Sequence, residues 1–357
     1  MLSQSLPAAA ADACGAEIAR RARLSHHVIE LGDGHKVGVS VGGRGVPLVF
    51  LHGLGLNHRA YHAMLGGLAN LGFLVVAIDA AGHGATHDFR SGKPQIGDFV
   101  ALTLRSLDVL GIHKAVFTGH SMGGRLVIEV AASAPERVLA AVLLDAAAGA
   151  SWEKTLAAAA RPAPQAVAAM LAMLCSTRHE MDGLTFARAS RYARGLTDAV
   201  IGNLRRPLGP VRAALAMMQS PDSTEQLRMM RERGIPTLVL HGENDYMVPF
   251  ASGRDIAEAT GGSLYRLRGA CHGWLIANPR HAAEALRHLI TERLGDALRF
   301  AAQALGIPDS SESTTWERAL VPPHALIHRL NGERRVEIGA QRRRHVRVPA
   351  GELQRAI

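Results

Sequence analysis

The sequence predicts an α/β fold: a mostly parallel central sheet flanked by helices, with an inserted helical unit. Three observations carry this. Short Val/Ile/Leu runs recur at 46–53 (VPLVFLHG), 73–79 (FLVVAID), 114–120 (KAVFTGH), 138–145 (VLAAVLLD) and 236–242 (PTLVLHG). Helical stretches separate them, and runs that are apolar on both faces belong in a parallel sheet covered on both sides. Between residues 146 and 233 the runs stop. An Ala/Met/Leu-rich helical region punctuated by Pro162, Pro164, Pro207, Pro210 and Pro221 takes their place.

Taken in order, residues 1–25 read as a loosely ordered leader. They lack a basic start before an apolar segment, and Asp12 and Glu17 interrupt the one candidate core of a signal peptide. Arginines at 20, 21 and 23 raise a transit peptide, against which the same acidic residues argue, so a cytoplasmic location is expected. Segments 26–31 and 35–43 flank Gly32-Asp33-Gly34 as an antiparallel hairpin at a sheet edge. The core then comprises 26–145 and 234–296, the cap 146–233. After the cap come a strand from Ile235, a helix near Phe250–Thr260, a strand at 263–269 and an amphipathic helix from about Pro279 to Arg293.

Residues 306–357 form a basic extension. It opens on a linker-like run, 308–313, and its segments ALIHRL and ERRVEI flank Asn331-Gly332, whose tolerance for positive φ predicts a small β-hairpin. The extension is expected to be dispensable for chemistry, because every candidate catalytic group precedes residue 273.

Composition narrows the class. With 357 residues, 48% hydrophobic and 20% charged, the chain buries a sizeable core. Its most apolar run, 138–150, is interrupted by Asp145 and too short to span a bilayer. A net charge of +9 suggests an anionic partner, but the basic residues are scattered, aromatics make up 4%, and no nucleic-acid-binding motif appears. No nucleic-acid partner is expected. Arg342-Arg343-Arg344 leaves room for a weak contact with an anionic membrane surface. Cys14, Cys175 and Cys271 are odd in number and lack metal-ligand spacing, which fits a reducing compartment.

The chemistry centres on Gly119-His120-Ser121-Met122-Gly123, a G-x-S-x-G between an apolar strand and a helix. The glycines let the chain turn sharply, so the serine hydroxyl projects into a cleft at a helix N-terminus. A serine hydroxyl needs a general base. Of 18 histidines, His272 in Cys271-His272-Gly273-Trp274 lies just after the final strand, where a loop carries it to the same sheet edge as Ser121. His120 is expected to pack beside the elbow. The imidazole needs an acid to orient it. Asp245, in HGENDYMVP after the strand TLVL, fits best, and Asp145, ending the preceding strand, is the alternative. The small-residue loop His52-Gly53-Leu54-Gly55 brings backbone amides near the substrate, so the N–H groups of Leu54 and Met122 are assigned to the oxyanion.

These motifs, HGLG, DAAGHGAT (79–86), GHSMGG, GENDYMVP and CHGW, together resemble the α/β-hydrolase superfamily over roughly residues 26–296. Where the family often has Arg before Gly-x-Gly and Ser at the end of the second motif, this chain has Ala81 and Thr86. The resemblance implies the order nucleophile, acid, base at Ser121, Asp245 and His272, a lid at the insertion, and no metal or organic cofactor. It leaves esterases, lipase-like enzymes, carbon–carbon bond hydrolases of ring-cleavage products and cofactor-free perhydrolases open. An aspartate nucleophile is unlike this chain.

Seven of the eleven methionines, 170, 173, 181, 217, 218, 229 and 230, fall in the insertion. They suit an adaptable apolar cavity or simply fill gaps between helices. The leading expectation is a serine hydrolase of a small or medium apolar carboxylic ester. The alternatives are a carbon–carbon hydrolase, with Arg178, Arg188, Arg191 and Arg194 as candidates for a second carboxylate, and a ligand-binding protein on a hydrolase scaffold.

Overall fold

The computed structural model describes residues 4–5, 23–90, 92–159, 185–308, 311–332 and 344–347. Eight strands make the sheet: β1 (Ser25–Glu30), β2 (Lys36–Gly42), β3 (Val46–Leu51), β4 (Phe73–Ile78), β5 (Ala115–His120), β6 (Val138–Leu144), β7 (Thr237–Gly242) and β8 (Ser263–Leu267). They lie in the order β1-β2-β4-β3-β5-β6-β7-β8, with Arg344–Arg347 beside β1 and Gln4–Ser5 beside β8 at the two edges. The strand β2 runs antiparallel to both β1 and β4, and every other pairing is parallel. Every residue of β3 to β7 is buried, as their unbroken apolar runs require of strands covered on both faces.

Two groups of helices cover the sheet. One holds α1 (His62–Asn70), α10 (Pro279–Thr291) and α11 (Arg293–Ala304). The other joins α2 (Ile96–Leu110), α3 (Met122–Ser133), α7 (Thr224–Glu232) and α8 (Phe250–Thr260). Among the described residues no helix is long and apolar enough to cross a membrane.

The inserted region contributes α4 (Ala150–Ala159), α5 (Phe186–Asn203), α6 (Leu208–Gln219) and α7. Of these, α5 lies against the turn His58–Tyr61 and the short helix α9 (Trp274–Ala277), at the carboxyl edge of the sheet. The last helix behaves differently. Counted within the insertion from sequence, α7 packs on α3 and α8, and Leu227 and Met230 are buried in the main core. Met230 therefore fills core space. Met217 packs partly buried against the same core while Met218 is exposed, and Met170, Met173 and Met181 lie outside the described residues. Arg125, only 2% exposed on α3, ties this corner together through Glu129 (2.8 Å), Glu153 of α4 (3.2 Å) and the carbonyl of Pro221 (2.7 Å).

The hairpin expected across Asn331-Gly332 is not what its first half forms. Residues Leu326–Gly332 are a helix, α13, preceded by α12 (Ser313–Leu320), which begins where the linker was expected. Burial overrides the local turn signal. Trp316 and Leu320, four residues apart on one face of α12, and Ile327 and Leu330 of α13 join the main hydrophobic core. The side chain of Glu317 accepts from the N–H of Gly45 at 3.0 Å, and that of Asn331 donates to the carbonyl of Gly43 at 2.7 Å. The second half of the expected hairpin, 333–338, lies outside the described residues, as do Arg342, Arg343 and most of the leader. Within that leader, Gln4–Ser5 pairs with β8 and Leu24 is buried in the core.

Candidate active site

Strand β5 runs directly into Ser121, which has φ 55° and ψ −118°. Among the described residues only Ser121 and Asp145 combine a side chain with positive φ. Such a conformation costs on the order of 1–3 kcal/mol and needs surrounding structure to hold it. Here the N–H of Ser121 donates to Leu144 O (3.0 Å), and its carbonyl accepts from Arg125 N (3.2 Å) and Ala147 N (3.1 Å). The flanking glycines are steric requirements. A Cβ on Gly119 would stand 2.2 Å from Gly123 O, and one on Gly123 would stand 2.0 Å from Leu51 O.

The loops after β7 and β8 bring Asp245 and His272 together: His272 Nδ1 donates to Asp245 Oδ2 at 2.7 Å. The other oxygen, Oδ1, accepts from the N–H groups of Met247 and Val248, each at 2.8 Å, so the carboxylate cannot swing. Burial would raise this carboxyl, but the facing imidazole and its hydrogen bond outweigh burial and hold it below the ordinary aspartate value. The bond at Nδ1 fixes the plane of the imidazole and turns Nε2 away from the acid.

Asp145 does not contact His272 in this way. Its Oδ1 accepts from Gly242 N at 2.7 Å and its Oδ2 from the indole Nε1 of Trp274 at 2.6 Å. Burial, then the charge of Asp245, push its carboxyl well above the usual carboxylate range. Between the two acids lies His241, whose Nε2 donates to Val248 O at 2.9 Å and stands 3.6 Å from Asp245 Oδ2.

The loop expected to hold the oxyanion abuts Ser121, since a Cβ on Gly53 would sit 3.4 Å from Ser121 Cβ. Its amides are nearly all committed. Gly53 N donates to Tyr61 Oη (3.2 Å), Gly55 N to His83 Nε2 (3.2 Å) and Leu56 N to Gly53 O (3.1 Å). Among the described residues the N–H of Leu54 has no acceptor. Met122 is the first residue of α3, a position whose N–H has no acceptor within its own helix.

Two residues of this site, Tyr61 and Asn203, escaped the sequence, and His120, expected beside the elbow, has partners that the sequence did not show. His120 Nε2 faces the carbonyl of His272 at 3.0 Å and must therefore carry the proton, which leaves Nδ1 to accept from the hydroxyl of Tyr61 at 2.7 Å. Burial, then His272, push the His120 imidazole down to about 3, consistent with that neutral tautomer. Asn203, at the end of α5, donates to Gly55 O at 2.6 Å and accepts from Gly84 N at 3.0 Å, clamping the Gly53–Gly55 loop from the insertion. No spacing rule points to Tyr61 or Asn203. The position of His120 beside Ser121 was visible, its partners were not.

The second motif is a brace for the same loop. Asp79 accepts from the backbone N–H (3.0 Å) and Nδ1 (2.7 Å) of His58 and from Ala85 N (3.0 Å). Thr86, standing where the resembled family often has Ser, donates its hydroxyl to Asp79 O (2.6 Å) and accepts from Gly38 N (2.9 Å).

A family model described as the alpha/beta hydrolase fold matches residues 46–279. The chain belongs to this family. A putative non-heme haloperoxidase of Mycobacterium phage D29 is 42% identical over 272 residues, covering 74% of this chain and 94% of the relative. A bifunctional esterase/perhydrolase of Acinetobacter calcoaceticus is 29% identical, covering 65% and 87%. Among solved structures, esterase RhEst1 from Rhodococcus sp. ECU1013 superposes with a TM-score of 0.57 at 23% identity, covering 76% of this hydrolase and 99% of that chain. A bromoperoxidase from Bacillus anthracis gives 0.59 at 20% identity, covering 75% and 100%. At these identities the structural likeness speaks for the fold. The order of the eight strands and the strand-turn-helix at Ser121 are thus properties of an α/β-hydrolase enzyme.

Proposed function

We propose that this hydrolase cleaves an apolar carboxylic ester through an acyl-serine intermediate, with Ser121 as nucleophile, His272 as base and Asp245 as the orienting acid. The observation that supports the reading most is the 2.7 Å bond from His272 Nδ1 to Asp245, the contact by which an acid orients a catalytic imidazole. Ser121 Oγ attacks the ester carbonyl while His272 takes its proton. The N–H groups of Leu54 and Met122 meet the developing oxyanion, each such donor contributing about 3 kcal/mol to the transition state. Collapse breaks the carbon–oxygen bond to the alcohol, which leaves with the proton from His272. Water then attacks the acyl-serine, His272 accepting and returning a proton, and the acid is released.

The apolar acyl group is argued from the Ala/Leu/Met composition of the insertion and from α5, which brings the buried Tyr192 and partly buried Leu196 to the core. No metal or organic cofactor enters these steps, and the partner in the reaction is a small molecule.

A second acceptor is favoured by two relatives, the phage protein named a putative haloperoxidase and the Acinetobacter esterase/perhydrolase. On this reading hydrogen peroxide replaces water in the second half-reaction, so the acyl-serine yields a peracid and free serine. One experiment tests both. The protein is labelled with a fluorophosphonate, then assayed on a chain-length series of p-nitrophenyl esters with and without peroxide, and on a ring-cleavage diketone. Labelling with ester turnover supports the proposal, and peracid formation adds the second acceptor. Turnover of the diketone alone, or no labelling at all, overturns it.

A further inference from the structure

Asp145 follows β6 directly, with φ 46° and no exposed surface. Both a buried carboxyl group and a left-handed aspartate cost free energy, so the contacts they secure call for a physical reason. Those contacts lead to all three catalytic loops. Asp145 Oδ1 accepts from Gly242 N, and Gly242 in turn accepts, through its carbonyl, from the N–H of Asp245 at 3.4 Å. Asp145 Oδ2 accepts from the indole of Trp274, two residues after His272, and Trp274 N donates to Cys271 O at 3.2 Å, closing the turn that holds His272. On either side of Asp145, Leu144 O and Ala147 N grip the peptide of Ser121. His272 itself bonds to the other acid, so Asp145 is not the orienting group of the imidazole.

We propose that Asp145 is a positioning residue: its carboxyl group, bonded to Trp274 and Gly242, holds the His272 and Asp245 loops in register with Ser121. The proposal rests on the reading of Ser121, His272 and Asp245 as the catalytic groups. Asp145 touches neither substrate nor reacting atoms in this account and acts only through the loops it joins. The titratable groups that face it are Asp245, His272 and His241, the last with Nε2 3.9 Å from Asp145 Oδ1.

The test uses the full chain and four variants: Asp145→Asn, Trp274→Phe, the double variant and Ser121→Ala. An asparagine keeps one acceptor oxygen, so it loses one of the two bonds, while Trp274→Phe deletes the indole donor and leaves Asp145 intact. A misplacement near 1 Å costs about a hundredfold in rate, so each single variant should lose roughly ten- to a hundredfold in kcat on p-nitrophenyl butyrate with little change in KM. With the retained oxygen on Gly242 N, the asparagine amide nitrogen faces the indole, so both variants remove the Trp274 bond and the double variant should be little slower than the slower single one. In 15N-labelled protein the indole signal assigned to Trp274, as the one lost in Trp274→Phe, should move in Asp145→Asn. Additive losses, or folded single variants with wild-type kcat, would overturn the proposal. Should Asp145→Asn fail to fold, Trp274→Phe and its rate of fluorophosphonate labelling decide alone, an unchanged rate counting against it. Turnover retained by Ser121→Ala would instead bring down the catalytic reading, which separates the two failures.

Discussion

The hydroxyl of Tyr61 and Nδ1 of His120 meet at 2.7 Å, and this bond joins the two halves of the active site. On one side the same oxygen accepts from Gly53 N in the oxyanion loop, and on the other His120 Nε2 donates to His272 O. The chain Gly53–Tyr61–His120–His272 therefore fixes the Gly53 loop, proposed to hold the oxyanion, relative to His272, the proposed base.

Tyr61→Phe should break that chain while preserving the ring that packs against Phe50 at 4.8 Å. The buried N–H of Gly53 loses its acceptor, at a cost of about 1–3 kcal/mol in stability. We expect kcat to fall by about tenfold with KM little changed, since the loss lies in transition-state geometry. Steady-state kinetics on a soluble ester together with thermal melting check both figures. Unchanged kcat in a folded variant would remove the bond from the account.

A second expectation concerns pH. His26 donates or accepts at Ser40 Oγ (2.7 Å) with its ring 4.7 Å from that of His58, and burial, then His58, His62 and Arg59, push it down to about 3. Between that value and its ordinary 6.5 the unfolded chain binds a proton that the folded chain does not, so stability falls as pH drops below 6.5. From pH 7 to pH 5 this single group should cost on the order of 2 kcal/mol. Urea unfolding at the two pH values should show a smaller acid loss for His26→Gln than for the wild type. Equal losses would mean that His26 is not the residue that carries the proton difference.

The C-terminal helices give a third. Because Trp316 is 1% exposed in the main core, Trp316→Ala should cost about 3–5 kcal/mol. Truncation after Leu305, which also removes Val321, Ile327 and Leu330, should yield protein that no longer melts cooperatively. A truncated chain with wild-type melting would contradict the packing described above.

The eight strands and the sharp turn at Ser121 were legible in the sequence because each rests on a local pattern. Unbroken apolar runs such as VLAAVLL report burial on both faces, and Gly119 and Gly123 report a turn that admits no side chain. The C-terminal extension was misread for the converse reason. Asn331-Gly332 carries a local turn signal, and only the distant contacts of Trp316, Ile327 and Leu330 decide for helix. Tyr61 and Asn203 were invisible on the same principle, since their partners lie 59 and 148 residues away along the chain. Asp145 and Asp245 both follow a parallel strand at the same edge, and only the hydrogen bonds set them apart: Asp245 meets His272, while Asp145 meets Trp274 and Gly242.

That choice is open to direct measurement. Asp245→Asn should lower kcat by roughly ten-thousandfold, as expected when the group that fixes the imidazole tautomer is neutralised. Asp145→Asn should cost far less, within the hundredfold argued from its contacts with Trp274 and Gly242. Parallel kinetics on the two variants settle the ranking, and a reversed order would move the acid to the end of β6.

The most direct test of the central claim is ester turnover by purified Ser121→Ala, beside fluorophosphonate labelling of the wild type followed by peptide mass mapping. Ser121 lies at an elbow with φ 55°, so removing its hydroxyl deletes the nucleophile and little packing. The account requires the label on Ser121 and turnover in the folded variant at the level of buffer. Substantial turnover by that variant, with contaminating esterase excluded, or a label on any other residue, would contradict it.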